Sequence, residues 1–88
     1  MKTVLKKIPN GKMVKIDFDI SGNKISYIKI TGDFFLFPET AINDIEKLFK
    51  GMHMPLDKDF IIDNFKNIDA QLIGVKIEEI ISAIMENK

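Results

Sequence analysis

The chain has 88 residues, of which 45% are hydrophobic and 30% are charged, so it is suited to one small folded domain and not to two. Thirteen basic residues balance thirteen acidic ones, and no apolar stretch approaches the roughly 20 residues of a membrane span, so neither nucleic acid nor a membrane is an expected partner. The absence of Cys excludes disulfides, zinc-thiolate sites, iron–sulfur ligation and a thiol nucleophile, and it favours a cytoplasmic location.

Two strands are predicted in the first third of the chain. Residues 12–20 alternate between apolar and polar side chains, which is typical of a half-buried strand. Its apolar face consists of Val14, Ile16, Phe18 and Ile20. Ser21-Gly22-Asn23 is typical of a turn, and residues 24–31 are rich in β-branched and aromatic side chains, so the two segments are predicted to form an antiparallel hairpin.

The second strand contains one break in its alternation. Ile28 and Ile30 share a face, whereas Ile25 is out of phase, which indicates either a bulge or a frayed strand start. Residues 3–8 predict a third strand, and Pro9-Asn10-Gly11 predicts the turn that ends it.

From residue 38 the spacing of the apolar residues becomes helical. A first helix is predicted from Pro38, with Gly51 suited to the C′ position, and Asp57 is suited to cap a second helix. The inward residues predicted for these helices are Ala41, Ile42, Ile45, Leu48 and Phe49, then Phe60, Ile61, Phe65 and Ile68. Residues 69–74 indicate a short link before a third helix, whose apolar residues are Ile77, Ile80, Ile81, Ile84 and Met85.

Strands in residues 1–37 followed by helices in residues 38–88 predict a single α+β domain. We expect a small antiparallel sheet of about three strands, with three helices packed on one of its faces and charged side chains on the other.

Three local patterns resemble ligand or catalytic sites, and each lacks a required part. Asp17 to Gly22 resembles the start of a calcium loop, but the twelfth position is Ile28 where a bidentate Glu is needed. His53 is the only histidine, and with two flanking Met residues it lacks the further ligands of a metal site. Paired carboxylates are expected on solvated helix faces, and no Ser, His and Asp set is available for a relay. The sequence therefore predicts no catalytic residue and no metal site.

The segment from Thr31 to Glu39 joins the two halves and carries three aromatic rings in four positions. One interpretation is a segment that closes the core between sheet and helices, and the other is an exposed apolar edge for docking. Strand alternation places Phe34 on the opposite side from Phe35 and Phe37, so one side can pack while the other is offered to a partner.

The sequence resembles the accessory domain of lipoate-protein ligases over nearly its whole length. The similarity runs through Gly11 to Asp17, Asn23 to Phe35 and Pro38 to Gly51, and its most specific part is Gly-Asp-Phe-Phe at 32–35 followed by Pro-Glu at 38–39. In that family the domain is either the C-terminal piece of a single-chain ligase or a separate small subunit. A chain of 88 residues that starts at Met1 resembles the separate form.

The resemblance implies a non-catalytic subunit that forms a heterodimer with a large catalytic subunit. That subunit uses ATP to activate lipoate or octanoate to an acyl-adenylate and transfers the acyl group to a lysine of lipoyl carrier domains. ATP, Mg and lipoate are expected in the catalytic subunit, and no cofactor is expected on this chain alone. The surface expected for partner contact or site closure is Gly32, Asp33, Phe34, Phe35, Phe37, Pro38 and Glu39.

The same fold family includes iron–sulfur scaffold proteins of the NifU and SufE kind, which place a Cys near this Gly. Asp33-Phe34-Phe35 stands there in this chain, so cluster assembly is excluded although the fold is expected to be similar. The alternative function is a free-standing, homodimeric interaction module with no ligase role, and a small-molecule binder is a weaker third one.

Overall fold

The computed structural model describes residues 1–9 and 12–87. Three strands form one antiparallel sheet in the order β1 (Lys2–Ile8), β2 (Lys12–Ser21) and β3 (Lys24–Gly32). A short strand β4 (Phe35–Phe37) follows, and then two helices, α1 (Ala41–Phe49) and α2 (Lys58–Lys66). The chain ends with a short strand β5 (Gln71–Ile73) and the helix α3 (Ile77–Glu86). The predicted α+β class is therefore confirmed; Asn10 and Gly11 of the predicted turn lie outside the described residues.

The hairpin between β2 and β3 turns over two residues. Gly22 has a φ of +59° and Asn23 a φ of +64°, so both central residues are left-handed. A two-residue turn of this kind has a twist that matches that of the flanking strands, and Gly and Asn are among the residues that tolerate it. The predicted hairpin is confirmed.

The bulge alternative explains the phase break in β3. Asp19 pairs with Tyr27, whereas the next residue, Ile20, pairs with Ile25, so Ser26 is the extra residue. The bulge restores Ile25 to the inner face of the sheet, where its side chain is fully buried.

The core lies between the inner face of this sheet and the three helices. Helix α3 packs against β1 and β2, α1 packs against β3, and α2 contacts both other helices. The largest fully buried side chains are Phe18, Phe49, Ile16, Ile25, Ile45, Ile61, Ile80, Ile84 and Val14. The outer face of the sheet exposes charged residues such as Lys15 and Lys29, together with the apolar side chains of Leu5 and Tyr27.

Helix α1 begins three residues later than predicted. Pro38 to Thr40 form a turn, and the first helical residue is Ala41. The predicted end is confirmed, because Gly51 follows the C-cap Lys50 and has a φ of +87°.

Helix α2 has the predicted cap but a different inner face. The Oδ1 atom of Asp57 accepts a hydrogen bond of 3.1 Å from the N–H of Phe60. Phe60 was expected inside, yet 52% of its surface is exposed. Ile61 is fully buried, and adjacent helical residues point about 100° apart, so the two cannot share the inner face. Phe65 and Ile68 are half-buried against the core.

We expect Asp57→Ala to lower the free energy of unfolding by about 1 kcal/mol, because the first turn of α2 loses its capping acceptor. Asp59→Ala is the matched control, since this exposed carboxylate lies in the same first turn, where the helix dipole favours a negative charge, but does not accept the cap bond. Urea unfolding followed by circular dichroism measures both. An equal loss in the two variants would contradict the capping role.

Residues 69–74 form more than the predicted link, because they contain β5. The residue pairs of the β4–β5 ribbon are Phe35 with Ile73, Leu36 with Leu72, and Phe37 with Gln71. A strand of three residues is too short for alternation to reveal it, and this one is held by a partner strand distant in sequence. No helix within the described residues 1–9 and 12–87 is long and apolar enough to cross a membrane.

Candidate partner-binding surface

The outer face of the β4–β5 ribbon carries an exposed apolar patch. Phe35 is 67% exposed, Phe37 is 75% exposed, and Ile73, the cross-strand neighbour of Phe35, is 50% exposed. These three residues are called the aromatic patch below. Large apolar side chains grouped on a surface mark interaction sites in soluble proteins, so this patch is the first candidate for partner contact.

The opposite face of β4 belongs to the core. Leu36 is buried, and Phe34, just before the strand, is partly buried and packs against the core cluster. The predicted two-sided segment is therefore confirmed: Phe34 and Leu36 anchor the ribbon, while Phe35 and Phe37 face outward.

Gly32 fixes where the ribbon leaves the sheet. Its φ is +154°, and a Cβ atom at this position would lie 2.3 Å from the carbonyl oxygen of Met13 and 2.9 Å from the Cα of Val14. The neighbouring Asp33 N–H donates a 2.9 Å hydrogen bond to the same Met13 oxygen. The close backbone approach that requires glycine is therefore made to strand β2 of the same chain.

Charged groups surround the aromatic patch. The ammonium of Lys12 lies 5.5 Å from the centroid of the Phe35 ring, within cation–π range. Asp33 and Glu39 are exposed carboxylates on either side of β4, and Pro38 is exposed in the turn before α1. The structure thus brings the predicted site residues together on one side of the molecule, with Phe34 directed into the core.

An open cleft of about 310 Å³ separates the end of β3 from β4 and the start of α1. Its lining consists of Ile30, Thr31, Gly32, Phe34, Phe35, Leu36, Glu39 and Ile42. The cleft shares Phe35 with the aromatic patch, so the two form one continuous surface.

Two participating residues were not predicted from the sequence. Ile73 joins the aromatic patch only because β5 pairs with β4. Glu46, in the middle of α1, accepts a 2.8 Å hydrogen bond at its Oε2 atom from the N–H of Ile30 in β3. Its sequence position, next to the buried Ile45, indicates only a polar flank of the helix.

The described part of the chain does not group metal-ligating side chains. It contains no group of three or more His, Cys, Asp or Glu side chains that could hold a metal ion. His53 is exposed and pairs through its backbone with Lys24, which agrees with its interpretation as part of a connector.

Comparison with known proteins extends over almost the whole chain. Residues 3–84 match the family model described as the bacterial lipoate protein ligase C-terminus. Subunit 2 of lipoate-protein ligase A from Thermoplasma acidophilum is 38% identical over 72 residues, which are 82% of this chain and 76% of that protein.

A solved structure agrees with the sequence comparisons. It comes from the archaeal lipoylation system of Thermoplasma acidophilum, which comprises a bi-partite lipoate protein ligase and its E2 lipoyl domain. One of its chains superposes with a TM-score of 0.79 at 34% identity, covering 96% of this chain and 93% of its own length. With sequence, family model and fold in agreement, this chain belongs to the family of lipoate-protein ligase C-terminal domains.

Proposed function

We propose that this chain is the small, non-catalytic subunit of a two-chain lipoate-protein ligase. It forms a heterodimer with a large catalytic subunit and is required there for the ATP-dependent activation of lipoate or octanoate to the acyl-adenylate. The acyl group is then transferred to a lysine of a lipoyl carrier domain.

The observation that carries this proposal is the similarity of the whole chain to one part of a bi-partite ligase. The match covers 96% of this chain and 93% of the other chain. The relative named subunit 2 supports the same assignment. A free-standing homodimeric module has no comparable support.

The described residues fit an assisting role better than a catalytic one. The aromatic patch and the lining of the cleft consist mostly of apolar side chains, which suit contact with a partner protein. We assign ATP, Mg²⁺ and lipoate to the catalytic subunit, as the family resemblance implies. A docked domain of this kind promotes adenylation by closing the partner's site and ordering its loops, which excludes water and orients the reactants. The cytoplasmic location stays a prediction.

Reconstitution from two purified chains tests the proposed function. We expect the catalytic subunit alone to form little lipoyl-adenylate from lipoate and ATP, and addition of this chain to restore adenylate formation in a saturable way. Transfer from chemically supplied lipoyl-adenylate to a carrier domain is expected to proceed without this chain. Equal adenylate formation with and without it would overturn the proposed function.

Light scattering, which measures the size of a complex, distinguishes the proposed function from the alternative of a free-standing homodimer. A heterodimer is expected when the two chains are mixed, whereas a chain that stays a homodimer in the presence of the catalytic subunit would favour the free-standing module.

A further inference from the structure

The chain is neutral as a whole, but its charges are separated between its two halves. Residues 1–37, which form the three-stranded sheet and β4, contain seven Lys and three Asp, a net charge of +4. Residues 38–88, which contain the helices and β5, have six Lys and ten Asp or Glu, a net charge of −4. Because the helices pack on one face of the sheet, its other face is the positive side of the molecule.

The outer face of the sheet carries a basic and apolar surface on β1 and β2. Leu5 lies opposite Lys15, and Lys7 lies opposite Met13, in the register of the two strands. All four side chains are exposed and alternate with residues of the inner face, so they form two neighbouring cross-strand pairs on the outer face. These four residues are called the basic patch below.

Two carboxylates share the outer face, and both have partners within the chain. The Oδ1 atom of Asp17 accepts a 2.7 Å hydrogen bond from the hydroxyl of Thr3 and lies on the residue opposite Lys29. The Oδ1 atom of Asp19 lies 3.6 Å from the amino nitrogen of Met1, and this is the one ion pair among residues 1–9 and 12–87. The lysines of the basic patch therefore form no ion pair within the described residues, and a partner can supply the opposite charge.

The basic patch and the aromatic patch lie on different sides of the sheet. Lys12 shares the alternation of the buried Val14 and Ile16, so it belongs to the inner face. Its ammonium lies 5.5 Å from the centroid of the Phe35 ring, which places that ring on the inner side as well. Lys15 has the opposite alternation. A catalytic subunit bound to the aromatic patch therefore leaves the basic patch open to a further protein.

The composition of the basic patch suits a transient contact with an acidic protein surface. Its lysines attract opposite charge over several ångströms and speed the encounter, while its two apolar side chains supply only a small contact area. A protein substrate must leave after each turnover, so a small contact guided by charge suits it better than the large apolar contact of a stable subunit interface.

We infer that the basic patch binds an acidic surface of the lipoyl carrier domain and guides that domain to the heterodimer. The inference rests on the proposed function and names the substrate-docking surface of the assembled enzyme. The lysines promote the encounter and take no part in acyl transfer. Transfer from supplied lipoyl-adenylate therefore still proceeds without this chain, but it requires a higher concentration of the carrier domain.

Charge reversal in the reconstituted heterodimer tests this docking surface. The heterodimer is supplied with lipoyl-adenylate, so that only transfer is followed, and the concentration of the carrier domain is varied. We expect K7E/K15E to raise the KM for the carrier domain at least about fivefold at low salt, with kcat within about twofold of the parent value. We expect K7R/K15R to behave like the parent chain, because it keeps both positive charges.

Salt gives a measurement that needs no variant. We expect the KM of the parent heterodimer for the carrier domain to rise with ionic strength, and the difference from K7E/K15E to shrink, because salt screens exposed charges. A KM of the parent that is independent of ionic strength would contradict docking by charge.

K58E/K66E is the matched control for charge reversal. It makes the same change in net charge at two exposed residues of α2, which packs against α1 and α3 on the helical side of the molecule. We expect this variant to have the KM of the parent. An equal rise in KM for K58E/K66E and K7E/K15E would show an effect of net charge alone and would overturn the docking surface.

The outcomes separate the inference from the proposed function. A heterodimer that forms lipoyl-adenylate from lipoate and ATP, with the same KM for the carrier domain in K7E/K15E and parent, would overturn the inference and leave the subunit assignment intact. Failure of the parent chain to stimulate adenylate formation would overturn the proposed function itself. Loss of heterodimer assembly by a folded K7E/K15E chain would show that the catalytic subunit covers the basic patch, and would also overturn the inference.

Discussion

The double variant F35A/F37A is expected to fold normally and to bind the catalytic subunit at least about 30-fold more weakly than the parent chain, because interface aromatic side chains often contribute about 2 kcal/mol or more. Both rings are more than two-thirds exposed in the free chain, so little packing is lost on truncation. We expect the free energy of unfolding to change by no more than about 0.5 kcal/mol. Calorimetric titration with the catalytic subunit and urea unfolding of the free chain measure the two quantities.

The control for this prediction is another exposed phenylalanine. Phe60 is 52% exposed on α2, away from the β4–β5 ribbon, and F60A removes a comparable ring. We expect F60A to bind like the parent chain. Similar binding by F35A/F37A and F60A would show that the aromatic patch is not the docking surface, whatever the activity of the assembled enzyme.

Gly32→Ala is expected to lower the free energy of unfolding by at least about 3 kcal/mol, since a strained backbone conformation alone costs about 1–3 kcal/mol. The added methyl group would also lie 2.3 Å from the Met13 oxygen and 2.9 Å from the Val14 Cα, and both are backbone atoms that cannot rotate away. The end of β3 must then separate from β2. A loss of this size is a large fraction of the stability of a small domain.

Gly22→Ala separates the cost of backbone strain from the cost of the steric clash with β2. Gly22 has a φ of +59°, but a Cβ atom there would meet nothing within 4 Å. We expect a loss of about 1 kcal/mol from the left-handed conformation alone. Urea unfolding measures the free energy of unfolding of both variants. Equal losses at the two glycines would show that the close approach of Gly32 to β2 does not contribute to the cost of the substitution.

The regular elements were predictable because each has enough residues to display its period. The alternation of residues 12–20 and the helical stripe from Ala41 to Phe49 each occupy at least nine positions, and both were found. The cap at Asp57 was predictable because it depends on a local bond between Asp57 and Phe60. Local patterns of this kind are present in the sequence itself.

The missed features depend on contacts between distant parts of the chain. Strand β5 has three residues and exists because it pairs with β4, so no local signal distinguishes it from a link. Phe60 and Ile61 are both large and apolar, and only the packing of α2 decides which of them is buried. Proline suits the first turn of a helix, so the sequence predicts a helix start at Pro38, yet the chain makes a separate turn before Ala41.

The aromatic residues of the candidate surface were predictable from the sequence, and the residues around them were not. The cluster of phenylalanines and their alternation are visible in the sequence, and the structure places Phe35 and Phe37 outward as expected. Ile73 lies at the surface because β5 pairs with β4. Glu46 lies there because its carboxylate accepts a hydrogen bond from the N–H of Ile30. The residues next to Glu46 in the sequence do not indicate that its side chain binds the backbone of a distant strand.

The β4–β5 ribbon links partner binding to the stability of the whole chain. One of its strands precedes α1 and the other follows α2, so the aromatic patch exists only after both halves of the chain have folded together. A partner that recognises this ribbon binds the native state alone, and at a hundred times its dissociation constant it adds about 2.7 kcal/mol of stability. Such coupling protects a bound copy of this chain from proteolysis, whereas a copy without a partner lacks that added stability and is degraded faster. The amount of catalytic subunit would then set the cellular abundance of this chain.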